Sequence, residues 1–204
     1  MDTTGFNSLL DACPKLEWLS YMVEARPARE GEIASITPME AQQALITKAR
    51  TLKGLELRFS DTCYSPLAPR WLRDTDLLLS LKKMTALEKL ILDECQLLVH
   101  KREDYYEDDS SLLSLLPTSI QSLQLAVAGP NFPAVMRIAK DAPDQFPRLK
   151  VVTFEFTSMV ISKEEITTLR DAFSAAKIQF FVLQMGIWCR NPWDLLEEDW
   201  FISV

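Results

Sequence analysis

Glycine is scarce in this chain, at five in 204 residues. That scarcity excludes a flexible, low-complexity protein, and no Gly-rich loop is present to cradle a phosphate. Histidine is scarcer still, with His100 alone. No HExxH motif or zinc-type spacing exists, so neither a metal nor a cofactor is expected. The four cysteines, Cys13, Cys63, Cys95 and Cys189, are widely spread and form no CxxC pair. They are expected as free, mostly buried thiols. Positive charge is in deficit, with 22 basic residues against 29 acidic ones and a formal net charge of −7. Nucleic acid and anionic membrane surfaces both require a basic footprint, so neither is an expected partner. No apolar run approaches the roughly 18 residues of a membrane-spanning helix. The N-terminal stretch MDTTGFNSLLDACPKLEW carries an acid where a signal peptide carries basic residues. An intracellular protein, cytoplasmic or nuclear, is expected.

What the chain has in quantity is apolar residues, at 48%, and they are periodic. In LEKLILDEC, Leu87, Leu90 and Leu92 stand at positions 1, 4 and 6, with Cys95 at position 9. The 1-4-6 pattern recurs as Leu16, Leu19, Tyr21, as Leu52, Leu55, Leu57 and as Ile120, Leu123, Leu125. It recurs again as Leu149, Val152, Phe154 and as Ile178, Phe181, Leu183. Successive starts are 36, 35, 33, 29 and 29 residues apart. A period in that range marks a repeat architecture.

The segments between these strands read as helices. Thr37-Pro38-Met39-Glu40 combines a capping threonine, a proline at the first helical position and a glutamate placed for a capping box. Ser162 and Glu165 form a second box ahead of an amphipathic run. Further helices are expected in FNSLLDAC, in DLLLSLKKM capped by Asp74 or Thr75, in LLSLL and in FPAVMRIAKDA. Pro14, Pro117 and Pro147 punctuate helix-to-strand joints. Strand, helix, strand implies parallel pairing through a crossover. Stacked units then bury positions 1, 4 and 6 as one continuous core. The expected fold is an α/β solenoid of six helix–strand units, residues 1–204 forming one domain, with a concave sheet face and a convex helical face.

L-x-x-L-x-L-x-x-C is the leucine-rich repeat signature, and LEKLILDEC matches it fully. The other five units carry Glu24, Ser60, Ala128, Thr157 and Gly186 at position 9. The phrases LLDACPKLEWLSY, ITPMEAQQAL, LLPTSIQSLQL and FPRLKVVTF resemble the repeat region of fungal F-box/leucine-rich repeat proteins, over about residues 6–185. The resemblance implies a repeat surface that binds a protein substrate. No F-box is read ahead of the repeats, so ligase recruitment is not expected of the chain itself.

With positions 4 and 6 inward, positions 3, 5 and 7 look out from the sheet. Trp18, Glu56, Arg58, Lys89, Ile91, Asp93, Glu155 and Phe180 are thereby candidate partner-binding residues, with Trp18, Arg58 and Phe180 as anchors. Arg58 and Asp93 are placed to pair across adjacent strands. Residues 60–73, with Trp71, and residues 99–111, with Tyr105 and Tyr106, are long connections of the kind that form a binding rim. The C-terminal stretch 186–204 holds Trp188, Trp193, Trp200 and Phe201. It reads as a cap over the end of the core, with a docking peptide or homo-oligomer contact as the second reading. No catalytic residue is assigned: His100 is an isolated surface residue and Cys95 a core position. The alternative to a protein-binding role is a small-molecule binder or acid/base enzyme using Glu56, Asp93 or Glu155.

Overall fold

The computed structural model describes residues 2–22, 36–58, 80–93, 111–127, 132–156 and 162–184. In chain order these form α1 (Thr3–Ala12), β1 (Trp18–Met22), α2 (Pro38–Leu45), a short 3-10 turn (Ile46–Lys48), β2 (Gly54–Arg58) and β3 (Lys89–Asp93). Then come α3 (Ser111–Leu115), β4 (Ser122–Val127), α4 (Phe132–Gln145), β5 (Val151–Phe156), α5 (Lys163–Ala175) and β6 (Gln179–Gln184). The six strands make one sheet in the order β1-β2-β3-β4-β5-β6, and every neighbouring pair is parallel. The α/β class and the strand-per-unit organisation expected from the repeat are therefore present.

Both capping boxes form. The Thr37 hydroxyl accepts the Glu40 N–H while the Glu40 carboxylate accepts the Thr37 N–H. Ser162 and Glu165 do the same at the start of α5. Each box satisfies two of the amide groups that a helix start leaves without partners. The segment after β2 departs from expectation. A helix is expected over DLLLSLKKM, residues 76–84; its first residues lie outside the described ones, and Leu81–Met84 form a turn, in which the Met84 N–H donates to the Leu81 carbonyl. Its neighbours supply the bonds a helix would have made: the Ser80 N–H donates to buried Gln42 and the Leu81 N–H to the Leu115 carbonyl.

Four strands are introduced by the same turn, in which the position 1 N–H donates to the carbonyl three residues earlier: Leu16 to Cys13, Leu87 to Met84, Ile120 to Pro117 and Leu149 to Phe146. Pro14 and Pro147 hold the second place of their turns, where a fixed φ is favoured. In each of the first four units, the carbonyl at position 2 accepts two amides from the following unit. Glu17 serves Lys53 and Gly54, Lys53 serves Glu88 and Lys89, Glu88 serves Gln121 and Ser122, and Gln121 serves Lys150 and Val151. This bonding fixes the register between units. The side chains at positions 1, 4 and 6 then join helix residues such as Phe6, Leu45, Ala142 and Phe173 in one buried cluster. The helices thus cover one face of the sheet and leave the other, here called the open face.

The sixth unit breaks the pattern. Phe181 and Leu183 were expected in the core, but Phe180 and Val182 pack there and Phe181 and Leu183 are exposed. Phe180 stacks on Phe173 at 4.7 Å between ring centroids, with the planes 7° apart. The cause lies at the end of α5. The Lys177 N–H donates to the Ser174 carbonyl and the Ile178 N–H to the Phe173 carbonyl, with Lys177 at φ 59°. That is a Schellman motif with a lysine in the left-handed position. It replaces the four-residue turn used elsewhere and starts β6 one residue early. A one-residue slip exchanges the faces of every side chain. The register Val152↔Phe180 and Phe154↔Val182 follows.

The two phenylalanines provide a test. Phe180→Ala is expected to cost about 3 kcal/mol in urea unfolding, and Phe181→Ala under about 1 kcal/mol. Equal losses would mean that β6 follows the unshifted register.

Candidate functional site

The middle of the open face is occupied by a charged network. Arg58, at the end of β2, donates through Nε to Glu56 Oε1 at 2.8 Å. Its Nη1 and Nη2 donate to the two carboxylate oxygens of Glu155, each at 3.0 Å. Glu155 belongs to β5, so the guanidinium reaches over β3 and β4, three strand spacings or roughly 14 Å on a flat sheet. On β4 the residue level with Glu155 is Ala126, only 1% exposed, whose methyl side chain is too short to block the guanidinium there. Gln124 donates a third bond to Glu155, at 3.0 Å, and the Ser20 hydroxyl donates to Glu56 at 2.7 Å. Five side chains from β1, β2, β4 and β5 are thus tied together. Glu155 is 4% exposed, and a carboxylate so buried requires this pairing.

A second arrangement lies at the start of the strands. Trp18, Gly54 and Lys89 are level on β1, β2 and β3. A Cβ built on Gly54 would overlap the Trp18 indole, so the glycine provides the seat over which the ring lies. The Lys89 ammonium sits 5.3 Å from the ring centroid, a cation–π contact. Trp18 remains 45% exposed. Of five exposed large hydrophobic side chains among the described residues, four lie on the open face: Trp18 and Met22 on β1, and Phe181 and Leu183 on β6. The fifth, Leu9, is on α1.

The surroundings of Glu56 favour its ionised form. Burial pushes the Glu56 carboxyl upward, but the Ser20 hydroxyl, the Arg58 guanidinium and the Lys89 charge outweigh it, and Glu56 lies below its ordinary value. A general acid at neutral pH needs the opposite displacement. Outside the network, Glu17 accepts from Lys53 at 2.9 Å and raises that lysine above its ordinary value. Among the described residues, no three His, Cys, Asp or Glu side chains gather as a metal site would require, and no helix is long and apolar enough to cross a membrane.

The structure brings together Trp18 with Lys89, and Glu56 with Arg58 and Glu155. Ile91 points to the open face but is buried there, in place of the solvated position expected of it. Phe180 is corrected: the slip in β6 turns it into the core, and Phe181 takes the outward place. Asp93 ends β3, but its side chain lies outside the described residues; the Arg58 bonds described here go to Glu56 and Glu155. Trp71, Tyr105, Tyr106, His100, Cys95 and the stretch 186–204 also lie outside the described residues. Sequence reasoning gave no special weight to Ser20, Gln124, Ala126 or Gly54. Only Gly54 carried a signal, since a glycine inside a strand often marks a close approach. No protein-family model, curated protein or solved structure matches the chain.

Two outcomes follow from the network. Arg58→Ala strands the buried Glu155 carboxylate and is expected to lower unfolding free energy by about 3 kcal/mol, whereas Lys53→Ala, which removes an exposed pair, leaves the urea midpoint close to wild type. Comparable midpoints for the two variants would show that the network is not a structural tie. Glu56 has a depressed folded-state value, so its contribution is present above the unfolded glutamate value of about 4.3 and is lost as pH falls through the folded one. The stability gap between wild type and Glu56→Gln is therefore expected at pH 7 and should close on acidification below about pH 4. A gap that stays constant or widens toward low pH contradicts that assignment.

Proposed function

We propose that the chain is a leucine-rich-repeat-type solenoid that works inside the cell as a protein-interaction module. Its partner surface is the open, concave sheet face around β1, β2 and β3, edged by the rim connections that carry Trp71, Tyr105 and Tyr106. The role resembles that of the substrate-recognising repeats of fungal F-box proteins. The repeat reading is supported by one strand per unit, by the 1-4-6 core of the first five units and by the carbonyl ladder between them.

One observation carries the binding reading: an exposed indole is held in a fixed pose. An unconstrained surface tryptophan would lose entropy on binding, but Trp18 is already seated over Gly54 and against Lys89. Preorganised aromatic anchors are favoured at protein interfaces. Met22, at the far end of β1 on the same face, adds a second exposed apolar side chain beyond Ser20. Behind them the Glu56–Arg58–Glu155 network forms a rigid polar floor whose bonds are made within the chain. A small-molecule site would instead use convergent polar groups aimed at a ligand, and this is why protein binding is the leading reading.

The test is affinity capture from source cells with the intact chain, quantified by mass spectrometry. Proteins held by wild type and by Leu9→Ala, a change on the helical side, should be depleted at least roughly tenfold by Trp18→Ala, as for an interface hot spot. If wild type and Trp18→Ala hold the same proteins in the same amounts, the open face is not the partner surface.

A further inference from the structure

In β6 the sequence and the position in the sheet disagree. Its residues, QFFVLQ, put Phe180 and Val182 toward the helices and Phe181 and Leu183 toward the open face. A strand that is apolar on both faces belongs in the interior of a layered structure. Yet among the described residues β6 pairs only with β5 and is the last strand of the described sheet. Phe181 is 44% exposed and Leu183 46%, while Phe180 and Val182 are only partly buried. An apolar edge strand invites association with other chains and is normally covered, and the end of a repeat stack needs a cap. At the other edge, α1 meets the helical face of β1 through Phe6 and Tyr21, whose ring centroids are 5.0 Å apart, and Trp18 and Met22 stay exposed on the open face.

We propose that residues 185–204 of this same chain cover β6, seating their aromatic side chains on Phe181 and Leu183 at the open face. The segment starts at the residue after Gln184, so its local concentration at β6 is in the high range that short linkers give. Its 20 residues include Trp188, Trp193, Trp200 and Phe201. Extended, they would reach about 66 Å, against roughly 20 Å for the six residues of β6. Length and apolar content thus both exceed what the cover needs. A plug at the end of the helical core, the expectation from sequence alone, does not account for the outward-facing pair that the register slip creates. The cover also leaves β1 to β3 as the uncovered part of the open face.

The experiment uses the full chain with Trp18→Phe and Trp71→Phe, so that every remaining tryptophan lies in the segment. Blue-shifted emission and protection from acrylamide are expected. Adding Phe181→Asp and Leu183→Asp should shift the emission toward that of free indole and raise quenching several-fold, with the sheet signal in circular dichroism retained and the chain monomeric by light scattering. Free-indole emission in the parent overturns the proposal, as does emission unmoved by the added changes. A concentration-dependent dimer lost in the Asp variant, with emission unmoved, assigns β6 to a second copy instead. If the Asp variant does not fold, hydrogen exchange decides. Replacing Trp188, Trp193 and Trp200 by Ser should speed β6 amide exchange roughly tenfold while β2 to β4 stay protected; unchanged β6 exchange overturns the proposal. Neither readout involves a partner protein, so this result stands apart from the capture experiment.

Discussion

The bond on which the fold depends is made at the start of β2, β3, β4 and β5, where one backbone carbonyl of the preceding unit accepts two amides. Parallel strands cannot be joined by a tight turn, and each must be approached through a crossover of a dozen or more residues. The crossovers here differ in length and content: one holds a short helix and a 3-10 turn, another a helix of 14 residues. They are interchangeable because each delivers its chain to the same acceptor. Glu17, Lys53, Glu88 and Gln121 provide those acceptors in turn. With position 2 fixed, positions 4 and 6 must point at the helices, and a continuous apolar core follows without further specification.

Much of this was legible from residue types alone. Leucine at positions 1, 4 and 6 has a plain physical meaning, and the capping boxes at Thr37 and Ser162 are strong local signals. The slip in the sixth unit was not legible, because IQFFVL is apolar at so many positions that it fits either register. Only the hydrogen bonds at the end of α5 decide between them, and Lys177 is an unusual residue for a left-handed position that glycine normally fills. The described end of the helix expected over residues 76–84 departs from expectation for a related reason. Leucine-rich composition allowed a helix, but bonds to Gln42 and Leu115, distant in sequence, satisfy the segment as a turn.

The charged network was half visible. Alternation along the strands identified Glu56, Arg58 and Glu155 as facing the same way, and adjacency made Arg58–Asp93 the obvious pair. What sequence could not supply was reach. A side chain as long as arginine is not restricted to its neighbouring strand when the residue level with its partner on β4 is as small as Ala126. The tie between β2 and β5 therefore joins residues 97 apart in sequence and couples the early units to the late ones, which in a stack of repeats otherwise communicate only with their neighbours.

The Schellman turn at Lys177 has a consequence for how such a chain can grow. Repeat arrays lengthen by duplication of whole units, which works only while the phase of the pattern is preserved from one copy to the next. After β5 the phase is intact, and an added copy would continue the same stripe of leucines. After β6 it is shifted by one residue, so a duplicated unit joined there in the old phase would present its apolar stripe to the wrong side. The turn at Lys177 therefore acts as a full stop in the repeat grammar, confining tolerated duplications to positions upstream of it.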